Sequence, residues 1–94
     1  MDSIELKELQ LSIGDRIYIQ IENWNLYLGD AGLAEALAIE CKAYIEQGPA
    51  ISARKGLEGV QVKIGGGGNS LPLARLVNPV QFFELEEILE PYGR

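Results

Sequence analysis

The chain has 94 residues, 47% of them hydrophobic and 23% charged, with a formal net charge of −6. Its mean hydropathy is +0.01. That length and balance describe one globular domain over residues 1–94 rather than two domains or a disordered tail, and the acidic balance argues against a nucleic-acid partner, whose phosphates would repel it. Histidine is absent and Cys41 is the sole cysteine, which removes imidazole general-base chemistry, Ser-His-Asp and Cys-His pairs, an internal disulfide and most zinc sites.

The apolar stretches around residues 13–28 and 31–45 are interrupted by Asp15, Arg16, Glu22, Glu35 and Glu40, so neither reads as a membrane span. The opening Met1-Asp2-Ser3-Ile4-Glu5 has no basic segment followed by an apolar run, so no secretory signal is expected and the expected address is the cytoplasm. Charge is unevenly spread. Nine acids face three bases up to Glu46, and one acid (Glu58) faces Arg54, Lys55, Lys63 and Arg75 from Gln47 to Phe83. The last eleven residues hold four acids and one base.

Asp2 with Glu5 three residues later is a capping-box pattern and predicts a helix start. From there Leu6, Leu9, Ile13, Ile17, Ile21, Trp24 and Leu28 recur at steps of three or four, one helical stripe. The same stretch also alternates, as Ile17, Ile19, Ile21 and then Trp24, Leu26, Leu28, which suits strands, with Gly14 able to end a short first helix. The unbroken stripe favours the helix. Tyr18, Ile19, Leu26 and Tyr27 then lie off the stripe and need cover. With Trp24, they form the expected interaction surface, and the excess apolar circumference predicts a homo-oligomer or a protein partner.

Gly29-Asp30-Ala31-Gly32 reads as a turn, with Asp30 capping a second helix whose face is Leu33, Leu37, Cys41 and Tyr44/Ile45. Gly48-Pro49 stops that helix. Residues 50–57 suit either a turn or a short helix. Val60, Val62 and Ile64 alternate with Gln61 and Lys63 as a strand, Gly65 to Ser70 turns, and Leu71, Leu73 and then Leu76-Val77 return, with Pro72 confining that strand to a sheet edge. Asn78-Pro79-Val80-Gln81 opens a last helix that buries Phe82, Leu85, Ile88 and Leu89. The expected architecture is α+β in the order α-α-β-β-α.

Two features invite chemistry. The run Gly65, Gly66, Gly67 and Gly68 can present backbone N–H groups to an anion, and Lys63 and Arg75 flank it as candidate cations. The phosphate-loop frames are incomplete, however. No lysine follows Gly68 and no helix opens after it, so a hairpin turn is the simpler reading. Cys41 reads as a packed thiol and the glutamates of the last helix as its wet face, so no catalytic residue, metal ligand or cofactor is assigned.

The blocks Trp24-x-Leu26-Tyr27-Leu28-x-Asp30-Ala31-x-Leu33 and Val62-Lys63-Ile64-Gly65-Gly66-Gly67, with Tyr18-Ile19 and Leu71-Pro72-Leu73, resemble a family of short cyanobacterial proteins catalogued as a domain of unknown function. The resemblance runs from about Ile13 to Glu90. It implies a cytoplasmic cyanobacterial protein and assigns no activity. The expected function is therefore a non-enzymatic, homo-oligomeric interaction module. The alternative is a regulatory domain that binds an anionic small molecule at the glycine-rich hairpin.

Overall fold

A computed structural model describes residues 1–21, 23–64 and 68–93. Helix α1 (Ser3–Arg16) opens on the expected capping box. Asp2 accepts the Glu5 N–H at 2.8 Å and Glu5 accepts the Asp2 N–H at 3.2 Å. The helix does not continue to Leu28. Ile17 turns extended (φ −100°, ψ 136°), and strands β1 (Tyr18–Ile21) and β2 (Trp24–Tyr27) form an antiparallel hairpin. The long helix predicted from the stripe is thus replaced by a helix and a hairpin. Both periods pass through Ile17 and Leu28, which are fully buried in either case, so the helical stripe persisted where the chain was already extended. The β-branched Ile17 and Ile19 fit the strand better than a helix interior.

Next come a single turn of helix, α2 (Leu28–Ala31), and the helices α3 (Ala34–Tyr44) and α4 (Pro49–Gly59). Asp30 lies inside α2. Leu33 precedes α3 without a side-chain cap, so Asp30 is not the N-cap the sequence suggested. The ambiguous residues 50–57 are helical, started by Pro49 at the first turn. Strands β3 (Gln61–Ile64) and β4 (Asn69–Pro72) form the second antiparallel hairpin, and α5 (Pro79–Leu89) closes the order, capped by Asn78 on the Val80 N–H at 3.0 Å. The class is α+β, as expected. The order of its main elements is α-β-β-α-α-α-β-β-α, with two separate two-stranded sheets, rather than α-α-β-β-α.

One core joins these elements. Leu9 and Ile13 of α1 meet Ile17 and Leu28 beside the first hairpin, Leu37 and Cys41 of α3, Leu57 of α4, Leu73, and Leu85 and Leu89 of α5, all fully buried. Two close approaches set its helix spacing. A Cβ on Gly14 would stand 3.1 Å from the Gly29 Cα, so α1 and α2 touch backbone to backbone. A Cβ on Gly56 would stand 2.6 Å from the Cys41 Sγ, where α4 crosses α3. Beside that crossing the buried Ser52 hydroxyl donates to the Cys41 carbonyl at 2.6 Å, joining the two helices without an orphaned polar group.

Gly56→Ala overpacks this crossing and is expected to lower stability by about 1–3 kcal/mol in a denaturant titration. Cys41→Ala in the same chain removes the sulfur the new methyl meets, so the two changes couple favourably by about 1 kcal/mol. Strict additivity would mean that the two helices are spaced by something else.

Candidate functional site

The pairing of Ile17 with Leu28, through the Leu28 N–H to the Ile17 carbonyl at 2.9 Å, sets the phase of the first hairpin. Hydrogen-bonded and non-bonded pairs alternate in an antiparallel ladder, so Ile19 and Leu26 face each other through backbone bonds. Tyr18, Gln20, Asn25 and Tyr27 therefore turn their backbone N–H and C=O groups outward. Tyr18 finds a partner there, since the buried Gln81 side chain accepts its N–H at 2.8 Å. The second hairpin obeys the same rule. Leu73 donates to the Val60 carbonyl at 2.8 Å, so Gln61, Lys63, Ser70 and Pro72 occupy the outward positions. Pro72, with no N–H to give, sits where the ladder asks none of it.

The five residues expected to form one surface divide between two faces. Tyr18 and Tyr27 are cross-strand neighbours whose rings meet edge to face, centroids 5.3 Å apart. Ile19, Trp24 and Leu26 share the opposite face by alternation. Ile19 is buried and Leu26 half-buried, whereas Trp24 is 54% exposed. The predicted exposed side of a helix therefore does not exist; Ile19 belongs to the core and Trp24 projects near the end of a hairpin.

Beside this second face runs an open groove of about 420 Å³. Ile19, Gln20 and Leu26 of the first hairpin border it, Val62 and Lys63 of the second lie across from them, and Ala31, Leu33 and Leu76 complete it. Of the eight described lining residues six are apolar, and Lys63 is the charged one. Its volume lies within the range of small-ligand and peptide clefts. A second hollow, of about 320 Å³, lies where Gly14 meets Gly29, and Asp15 and Glu35 give it an acidic rim.

The anion-binding candidates come from a strand and from the turn that follows its partner. Lys63 stands opposite Ser70, while Arg75 lies in a helical turn beyond the end of β4. Both are exposed, and Gly68 takes a left-handed turn conformation (φ 78°). Gly65, Gly66 and Gly67 lie outside the described residues. Among the described residues, no three Asp, Glu or Cys side chains converge as metal ligands would. On α5, Glu84 and Glu87 face Arg16 of α1, Glu84 as a close ion pair and Glu87 at 3.7 Å. Cys41 is buried beneath the α3–α4 crossing. Burial pushes its thiol up to about 12, with the Ser52 hydroxyl opposing that rise and Glu40 adding to it.

Sequence reasoning missed Gln20, Ala31, Leu33, Val62 and Leu76 as one surface, because they meet only through tertiary contacts. Gln81 left a trace. It occupies the buried stripe of α5 four residues before Leu85, and a polar side chain there signals a partner to be satisfied.

The chain belongs to the family described as protein of unknown function (DUF3181), whose model matches residues 6–92. Neither the curated proteins nor the solved structures contain a match to it.

Two outcomes follow from this geometry. Gln81→Leu keeps the volume but leaves the Tyr18 N–H unpaired, and thermal unfolding is expected to show a loss of about 1–3 kcal/mol; an unchanged midpoint contradicts the tie. The thiol of Cys41 is expected to resist a disulfide reagent at pH 8 until the protein unfolds. Rapid labelling of the folded protein contradicts its burial.

Proposed function

We propose that this member of the family is a non-enzymatic protein-interaction module whose working surface is the groove between the two hairpins. One observation carries the reading: a cleft bordered by strands from both hairpins, apolar except for Gln20 and Lys63 among its described lining residues. The chemistry around it favours binding over catalysis. The sequence holds no histidine, and its one thiol is protonated at neutral pH and packed in the core. Exposed Trp24, 54% accessible and on the same face as Ile19 and Leu26, extends the apolar surface along the first hairpin.

Self-association was first suggested by a long, over-hydrophobic helix, and that argument lapses with the helix; a second copy remains one of the chains able to use this surface. An anionic metabolite fits less well, because Arg75 is not among the described residues that line the groove and six of those eight are apolar. The resemblance of the Trp-x-Leu-Tyr-Leu block that begins at Trp24 to a family of short cyanobacterial proteins supports a cyanobacterial source and, as that resemblance implies, a cytoplasmic address. Among the described residues, no helix is long and apolar enough to cross a membrane.

Ala31→Phe fills the groove from a half-buried position without emptying the core. In selection from a display library of random twelve-residue peptides, the native protein is expected to enrich sequences that the Ala31→Phe protein, matched for thermal midpoint, does not retain. Equal enrichment on both proteins, or none on the native one, contradicts the reading.

A further inference from the structure

The groove has a property beyond its apolar walls. Two consecutive residues of β3, Val62 and Lys63, line it, and none of β4 does among the described residues, so it runs along the edge of β3 that β4 leaves unpaired. The ladder phase aims the backbone N–H and C=O of Lys63 away from β4 and towards that edge. Gln20 of β1 presents its backbone outward in the same way on the facing side. Among the described residues, no backbone bond outside the regular elements involves Gln20 or Lys63, whereas Tyr18 one rung along is closed by Gln81. An unpaired edge beside an apolar trough is the geometry that adds a strand.

We propose, on the reading that this groove is the interaction surface, that its occupant is an extended segment of a partner protein that adds as a strand to the β3 edge. Its alternate side chains are apolar, to lie on Ile19, Leu26, Leu33 and Leu76, and it carries a carboxylate that meets Lys63. Charge selects this occupant. Lys63 is the charged residue among the described lining residues, and a lysine on an open edge deters pairing with neutral or basic strands. A carboxylate in the incoming strand turns that guard into a contact. A second copy is disfavoured by the same charge. Symmetric pairing of two β3 edges sets Lys63 opposite the other Lys63 or, one register along, opposite Gln61, so it offers Lys63 no carboxylate, on bodies that each carry a net charge of −6.

The probe is an acetylated, amidated octapeptide, Thr-Val-Thr-Val-Asp-Val-Thr-Val, read by the emission of Trp24, the sole tryptophan, which shares a face with Leu26. A saturable blue shift is expected. Replacing the peptide aspartate by lysine should weaken binding at least tenfold, and Lys63→Glu should reverse that preference. Methylating alternate backbone nitrogens should abolish binding, since it removes the donors of the new ladder. If Ala31→Phe prevents binding but methylation changes affinity less than twofold, the groove remains the surface and strand addition is overturned. If Ala31→Phe binds the parent peptide like the native protein, the groove reading itself fails. Absence of any shift overturns the proposal, as does a blue shift without peptide that grows with protein concentration and marks a second copy in the groove.

Discussion

A buried side-chain amide holds the first hairpin to the helices: Gln81 of α5 accepts the Tyr18 N–H at 2.8 Å. A pair of four-residue strands has marginal stability alone, so the hairpin needs the body of the protein to keep its shape. Ile17 and Leu28 anchor its base in the core, and Gln81 closes one outward rung of β1. With that end fixed, the alternation of the strands determines the rest. The tyrosine pair faces one way and Ile19 with Leu26 faces the other, across from Val62 and Lys63. The groove is thus a consequence of docking two hairpins separately on one helical body. Joining them edge to edge would have removed it.

That helical body is spaced by absent side chains. Gly56 lets α4 settle on Cys41, and Gly14 lets α1 meet Gly29. The resulting burial explains why the lone thiol is chemically quiet: Cys41 is enclosed, and burial dominates its raised pKa. The same principle separates the acidic and basic parts of the chain into different roles. Glu84 and Glu87 of α5 face Arg16, a partly exposed arrangement of small energetic weight, while Lys63 stands at the groove with no acidic neighbour among the described residues of its lining.

Local signals in the sequence were legible where local chemistry decides the structure. The Asp2 and Glu5 capping box, the Asn78-Pro79 helix start, and the alternating Val60 to Ile64 strand all recur in the fold. Pro72 also occupies a strand position that requires no donor. The stretch from Ile13 to Leu28 was misread because its apolar residues satisfy both the helical and the strand period. Only tertiary cover distinguishes them, and it buries Ile19 while leaving Trp24 exposed. The groove was not legible at all. Ala31, Leu33, Val62 and Leu76 come from four segments whose meeting depends on the whole packing. Lys63 has Ser70 as its register partner, and Arg75 lies beyond the end of β4 at Pro72, so the ladder itself does not pair the two cations.

The central claim is that the folded protein keeps open strand edges at Gln20 and Lys63 beside a closed one at Tyr18. Residue-resolved amide hydrogen exchange of the native protein tests it most directly. The account predicts strong protection of the Tyr18 amide, held by a buried acceptor, and exchange close to the unprotected rate at Gln20 and Lys63. Protection of Gln20 and Lys63 equal to that of Tyr18 in dilute protein would show those edges already paired, and would contradict it.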